Sequence, residues 1–442
     1  MLVSVHKLFL FALLLLFEMP KGEAQTWSLQ QCIDTAQSHN RLLQIANNNT
    51  LLGEEKQKEA TAALIPKLMI NADYKYFTDL PTQLMPLSTF NPTAPAGKYK
   101  EAQFGVQHNL NANVQLSMPL YNPLVYGAIT TTKQAAALNE LQYRKSEEQV
   151  LVDVCNQYYS AQVLVHQLQF IDSSISNTNK LLKNVQLLQT QLLAKGTDVA
   201  KVELQLVQLN IQKQTAFSRL QQVMNALKFS LGISLLREIT VEDNIRFTKT
   251  NADRSNLPIE VALTGEQRKL VKIELQNLKL SRLPSLSLIG FYGTTGFGYD
   301  KKPNDFLKFF PTSFVGLQLS YPLFNGTVTM RKINQKKLEL KNSELQEANA
   351  VAMNTMQTQN ATLQCSIAQQ TIEVSKRQIE QAQNIYNQTM LQQQQGVATL
   401  TDVLLADTAL REAQQNYLSA YIDFAKADIE LKRLTGNIST LK

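Results

Sequence analysis

The sequence predicts a mainly helical chain that carries four membrane strands and is laid out as two copies of one plan. Three observations predict it. First, long runs lack both glycine and proline: 69 residues between Gly326 and Gly396 and 39 more before Gly436, preceded by 68 from Ala128 to Lys195 and 35 from Thr197 to Leu231. Runs of this kind favour helix because nothing in them breaks the hydrogen-bond ladder. At ~1.5 Å per residue the longest would reach roughly 100 Å, so it needs neighbours along its whole length. Second, four stretches alternate apolar and polar residues with a period of two. Third, Val114-Gln-Leu-Ser-Met-Pro-Leu-Tyr-Asn122 matches Leu317-Gln-Leu-Ser-Tyr-Pro-Leu-Phe-Asn325 at six of nine positions. Thr197-Asp198-Val199 likewise recurs as Thr401-Asp402-Val403, an offset of 204 that holds without a gap to Gly232 and Gly436. Finding such a repeat decides the reading of everything around it.

Taken in order, the chain begins with Lys7, the apolar run Leu8–Phe17 and the small residues of Gly22-Glu23-Ala24. This pattern reads as a secretory signal peptide, residues 1–24, cut before Gln25. Ten apolar residues are too few to span a bilayer as a helix, and no later stretch reaches 18. Gln31 just before Cys32 argues against lipoprotein processing. The three cysteines (Cys32, Cys155, Cys365) all fall in helical patterns and read as free packing residues. His6, His39, His108 and His166 are scattered without metal-ligand spacing, and no phosphate loop or nucleophile motif is present. An enzyme, a resident metal and a cofactor therefore have no support. The net charge of +7 is spread along the chain, which reads as solvated helix faces rather than a nucleic-acid surface.

After Pro66 the period becomes two. Leu68, Ile70, Ala72, Tyr74 and Tyr76 share one face; Lys67, Met69, Asn71, Asp73 and Lys75 share the other. From Ala102 the alternation runs to Met118, with Phe104, Val106, Leu110, Ala112, Val114 and Leu116 set against Asn and Gln. The second copy repeats it with Leu286, Leu288 and Tyr292, then Val315, Leu317, Leu319, Tyr321 and Leu323. Each copy thus offers two strands with one apolar and one polar or small face. No helix nearby is set aside to cover them, and lipid outside with water inside a closed barrel satisfies the pattern. Tyr74, Tyr76, Tyr121, Phe291, Tyr292 and Phe324 would sit near the interfaces. Residues 77–101 and 294–312 read as loops at the outer rim. Four strands cannot close a barrel with a usable lumen, so several chains are needed.

The last helical pattern carries a heptad seam, Val403, Ala406, Leu410, Ala413, Tyr417, Ala420, Phe424, Ala427, Leu431 and Leu434. Its first-copy counterpart runs from Val199 and Val202 through Leu209 and Ala216 to Leu227, broken at Lys213 and Ser230. A second, weaker stripe (Ala200, Leu204, Val207, Ile211; later Leu404, Leu418, Ile422, Ala425, Ile429) implies a neighbour on another side.

With these parts in order, the chain resembles the TolC family of outer-membrane efflux channels over nearly all of its mature length. The features that carry the resemblance are Trp27-Ser-Leu-Gln-Gln-Cys-Ile-Asp-Thr-Ala36, Ile65-Pro66 and Leu283-Pro284 entering strands, the Pro-Leu-Tyr-Asn and Pro-Leu-Phe-Asn exits, and the two Thr-Asp-Val starts. The resemblance implies a homotrimer whose 12-stranded β-barrel is continuous with a 12-helix periplasmic α-barrel. Repeat 1 would occupy 25–232, with a helix at 41–64, strands near 66–77 and 102–119, a long helix at 123–194 and another at 197–231. An equatorial linker would follow at 233–257. Repeat 2 would occupy 258–442, with a helix at 258–282, strands near 284–293 and 313–323, a long helix at 326–395 and another at 401–434.

By resemblance the function is passive conduction across the outer membrane, driven through a periplasmic adaptor (membrane fusion) protein by an inner-membrane RND or ABC pump. The outer component of a type I protein secretion system is an alternative; a secreted coiled-coil scaffold or adhesin without a pore is another, and it leaves the four two-faced strands unexplained. The family's gate carboxylate falls on Asp402, where three copies would form a cation-favouring ring. The second family Asp, three residues on, is replaced by Leu405, and Asp198 is the repeat mate of Asp402. The tethers of the family's closed tip fall on Gln393 and Ala398, so that network is absent. A helix N-terminal carboxylate favoured by the dipole is the other reading of Asp402. Adaptor contacts would lie at the tips, Lys195, Gly196 and Thr197 in one copy and Gln395, Gly396 and Val397 in the other. Gly196 stands two residues before Asp198 while Gly396 stands six before Asp402, which predicts a first tip about one turn shorter.

Overall fold

A computed structural model describes residues 25–244, 257–300 and 307–438. The expected signal peptide at 1–24 lies outside the described residues, as do 245–256 of the expected linker and 301–306 of the second expected rim segment. In chain order the elements are β1 (Gln25–Trp27), α1 (Leu29–His39), α2 (Arg41–Ala62), β2 (Lys67–Tyr76), β3 (Thr82–Pro86), β4 (Tyr99–Gln103), β5 (His108–Tyr121), α3 (Pro123–Thr190) and α4 (Gly196–Leu231). There follow β6 (Ile239–Val241), α5 (Ile259–Leu280), β7 (Ser285–Gly298), β8 (Lys308–Ser320), α6 (Val328–Gln394) and α7 (Leu400–Leu434). The chain is mainly helical. No helix among the described residues is long and apolar enough to cross a membrane.

Two compact units divide the chain. One contains Glu140–Gly265 with the described parts of Met1–Thr50 and Gln346–Lys442; the other contains Leu51–Asn139 and Glu266–Leu345.

The first unit is built on helices. Ser28 caps α1 in a reciprocal box: its hydroxyl accepts from the Gln31 N–H at 3.2 Å, and its own N–H donates to Gln31 Oε1 at 3.0 Å. The helix then buries Cys32, Ile33 and Ala36 in a core with Val154, Cys155 and Tyr158 of α3, Leu227 and Leu231 of α4, and Ile429 of α7. The parallel pair β1–β6 closes one side of this core, and the Tyr158 hydroxyl donates to the Trp27 carbonyl at 3.0 Å. Leu227 and Leu231 are fully buried, and truncating either to alanine would cost about 2–5 kcal/mol. All three cysteines are free thiols on helices, and burial pushes Cys32 and Cys155 up to about 12, which keeps them unreactive.

The heptad seam of α7 is buried at Val403, Ala406, Leu410, Ala413, Ala420, Ala427, Leu431 and Leu434. Its second stripe is buried as well, at Leu418, Ala425 and Ile429. On α4 the two stripes part company. Val202 and Leu209 are buried, whereas Leu204, Val207 and Ile211 are more than half exposed.

The second unit is organised by one antiparallel sheet in the order β2-β5-β7-β8, with β3 and β4 forming a separate hairpin. Several sequence expectations shift here. The strand expected from Ala102 begins at His108, because Ala102 and Gln103 pair with Gln83 and Thr82 in the β3–β4 hairpin and Gly105 turns the chain at φ 117°. The segment 77–101, expected as loop, therefore holds a strand pair. Strands β7 and β8 extend through Gly298 and from Lys308, into residues whose Gly, Thr and Pro content had suggested loop. Cross-strand pairing of Thr294–Phe297 with both neighbours supplies the ladder that local composition hides. At the other end β8 stops at Ser320, so Tyr321 and Leu323 lie beyond it.

Register sorts the side chains. Leu68 and Ile70 of β2, Leu110, Val114 and Leu116 of β5, Leu286 and Leu288 of β7, and Val315, Leu317 and Leu319 of β8 share one face. Phe291 does not join Tyr292 there. It lies on the opposite face, stacked against Phe314. The face expected to be polar or small is so on β2 and β5, while on β7 and β8 it carries phenylalanines among its Ser, Thr, Gly and Gln residues.

Candidate functional site

The residues singled out for a gate and for partner contacts lie at two helix reversals, α3 into α4 and α6 into α7, both within the first unit. One apolar cluster ties the four helices together there. Leu181 and Val185 of α3, Val199 and Val202 of α4, Ala382 and Tyr386 of α6, and Val403, Ala406, Leu410 and Ala413 of α7 pack as a single core. Ala194 from the first turn and Leu400 at the start of α7 border the same cluster. Asp198, Asp402 and both turns are thus brought to one end of the unit.

At the second turn α6 ends in a Schellman arrangement. Gly396 takes a left-handed conformation (φ 76°), its N–H donates to the Gln393 carbonyl at 3.0 Å, and the Val397 N–H reaches back to Gln392 at 2.9 Å. Three residues later Thr399 caps α7. Its hydroxyl accepts from the Asp402 N–H at 3.2 Å and donates to Asp402 Oδ2 at 2.6 Å, and its N–H donates to the same oxygen at 2.8 Å. These hydrogen bonds, side chain first, hold the Asp402 carboxyl below the usual aspartate range, so it stays ionised in an exposed position.

The first turn overturns the shortened tip. Its left-handed residue is Leu192 (φ 60°), with the Leu193 N–H reaching back to the Leu188 carbonyl at 2.8 Å. Leu192 stands six residues before Asp198, as Gly396 does before Asp402. Gly196 plays no part in the reversal; it is the first residue of α4, after the N-cap Lys195. The Lys195 N–H donates to Asp198 Oδ2 at 3.3 Å, and Lys201 Nζ approaches Asp198 Oδ1 at 3.7 Å. The two turns share one geometry. The glycine position misled because a leucine occupies the left-handed site, which ordinarily disfavours a side chain by roughly 1–2 kcal/mol.

Lys195, Gly196, Thr197, Gln395, Gly396 and Val397 are all exposed. Leu405 is exposed too, one turn beyond Asp402, while Asp198 is half-buried. Sequence reasoning missed three things here. Leu192 and Leu193 are largely exposed at the first turn, as Val397 is at the second; the common spacing to the two aspartates was their signal. Thr399 was legible as the first residue of a Thr-x-x-Asp box. Asp407 had no signal: its carboxylate is buried, receives Arg411 Nε at 3.0 Å and Gln205 Nε2 at 3.4 Å, and is pushed up by burial against the pull of Arg411. The same burial, with Asp407 nearby, raises Tyr386 to about 12. Among the described residues no group of three or more His, Cys, Asp or Glu side chains could hold a metal ion.

The chain is similar to known proteins over most of its length. A family described as outer membrane efflux protein matches residues 278–437. Outer membrane protein TolC of Salmonella enteritidis is 20% identical over 431 residues, covering 94% of this chain and 83% of that protein. Alkaline protease secretion protein AprF of Pseudomonas aeruginosa is 22% identical over 394 residues, covering 87% and 79%. The solved structure of the outer membrane protein VceC from Vibrio cholerae superposes with a TM-score of 0.75 at 14% identity, covering 92% of this chain and 96% of that one.

Proposed function

We propose that this chain, which is similar to the TolC-like outer membrane efflux proteins and is seated in the outer membrane and extends into the periplasm, is the passive exit duct of a tripartite efflux system. One observation carries the reading. The sheet β2-β5-β7-β8 is open, and its edge strands β2 and β8 run 10 and 13 residues with apolar, exposed side chains. Long apolar edges of this kind invite pairing with another chain. Joining β8 of one copy to β2 of the next removes every edge, and three copies of four strands make a 12-stranded barrel. The exposed stripe Leu204, Val207 and Ile211 on α4 supplies a matching seam for a neighbouring copy, so that the helices of three copies line a 12-helix tunnel. The recurrence of two strands, a long helix and a shorter one in each half then reads as two repeats, 25–232 and 258–442.

In this reading the turns carry the gate and the docking surface. Three Asp402 carboxylates ring the constriction with Leu405 and Asp198 beside them. Lys195, Gly196, Thr197, Gln395, Gly396 and Val397 meet a periplasmic adaptor, and an RND or ABC pump in the inner membrane supplies direction. Extraction in detergent should yield trimers that conduct as single channels in a planar bilayer. A protein that stays soluble and monomeric without detergent would overturn the proposal. The likeness to AprF favours one second reading, the outer component of an ABC-type protein exporter. Crosslinked purification with the neighbouring pump distinguishes the two.

A further inference from the structure

The face of the sheet opposite the aliphatic belt has two chemically distinct halves. On β2 and β5 it is a hydrogen-bonded amide ladder. Asn71 Nδ2 donates to Asn113 at 3.3 Å, Asn111 Nδ2 donates to Asp73 at 3.2 Å, and Thr295 of β7 donates to Asn111 at 2.8 Å. On β7 and β8 the same face sets Phe291, Phe297, Phe310 and Phe314 among serines, threonines and Gln318. Phe291 and Phe314 are register partners with ring centroids 5.4 Å apart and planes 8° from parallel. Phe297 and Phe310 follow at 5.9 Å and 49°. A Cβ at Gly293 would sit 2.7 Å from Asn113 Cβ and 3.1 Å from Phe291 Cε1, so the absence of a side chain there is what leaves room for the Phe291 ring between the halves.

The rungs mix the two chemistries. Gln115 pairs with Phe291, which pairs with Phe314; Asn109 pairs with Phe297, which pairs with Lys308. Its charges are few, and Lys75 and Asp73 offset each other at 3.3 Å. The opposite face, with Leu68, Ile70, Val315, Leu317 and Leu319 between 66% and 78% exposed, is the one suited to lipid. The amide and phenyl face is therefore the one that a closed barrel turns to its lumen.

We propose that this face is a selective lining for flat aromatic solutes in transit. The planar part of the solute stacks on the Phe291–Phe314 and Phe297–Phe310 pairs, and its polar groups exchange hydrogen bonds with the Asn and Gln ladder. The inference rests on the channel reading above and deepens it, since it names a solute class for the barrel.

The test is current block in a planar bilayer, with pyrene-1-sulfonate added from the extracellular side and methanesulfonate as the control without a ring system. The native channel should show block by pyrene-1-sulfonate at concentrations where methanesulfonate has no effect. The double variant Phe291→Ser/Phe314→Ser should bind the blocker roughly tenfold more weakly. Phe291→Leu/Phe314→Leu keeps apolar volume and should weaken block in the same direction, which covers the case in which the serine pair does not assemble. Block unchanged in the leucine pair, or equal block by the two sulfonates, overturns the lining while leaving the duct intact. A protein that forms no channel overturns both.

Discussion

Exchanging the residues at the two left-handed turn positions tests the claim that both reversals share one geometry. Leu192 holds φ at 60° with its side chain 93% exposed, so truncating it to glycine removes almost no packing. Relief of the left-handed conformation favours the Leu192→Gly fold by roughly 1–2 kcal/mol, and the added freedom of glycine in the opened chain returns about 0.5–1 kcal/mol. The net is a turn more stable by about 0.5–1 kcal/mol, a two- to fivefold change in local opening at about 1.4 kcal/mol per tenfold. The reciprocal change is equally clean. A Cβ at Gly396 meets nothing within 4 Å, so Gly396→Leu introduces torsional strain without a clash and should loosen the second turn by a similar factor. Hydrogen exchange of the detergent-solubilised protein, followed by mass spectrometry, reads both through the amides of Leu193 and Val397, which close the two Schellman bonds. Slower exchange near Leu193 in Leu192→Gly and faster exchange near Val397 in Gly396→Leu are expected. Faster exchange in Leu192→Gly, or none in Gly396→Leu, would show that the reversals are not equivalent.

Two further outcomes follow from the charges. Asp402→Asn should weaken block of the channel by multivalent cations from the periplasmic side; unchanged block removes Asp402 from the gate and leaves it only the capping role that its bonds to Thr399 describe. Glu148 has its carboxyl raised to about 7 by burial, with Arg433 pulling the other way. A carboxyl whose folded pKa lies above its unfolded value stabilises the fold fully below about 4.5 and loses that contribution as pH rises to about 7. Glu148→Gln should therefore flatten this segment of the pH–stability profile and leave the variant more stable than native at pH 8, measured by thermal unfolding. A parallel profile in the variant would count against a buried, protonatable Glu148.

Much of the architecture was legible because its signals are local. Helix needs only an unbroken ladder and an apolar stripe, and the seam from Val403 to Leu434 provides both in one stretch of sequence. The two-residue alternation around Leu68–Tyr76 and Leu110–Met118 is equally self-contained. Composition misled wherever a partner strand decides the outcome. Thr294–Gly298 reads as loop alone and becomes strand when His108–Ala112 lies against it, and Ala102 leaves β5 because Gln83 claims it first.

The sequence by itself determined the long helices, the helix-capping aspartates at 198 and 402, and the aliphatic face of the sheet. Each depends on spacing within one segment, where the period of the backbone sets which side chains share a face. Only the tertiary structure decided that Leu192 rather than Gly196 reverses the first helix pair, because backbone torsion is a property of the whole packed turn. It alone placed Phe291 against Phe314 across from an amide ladder, since register between distant strands, and not composition, determines which rings can meet.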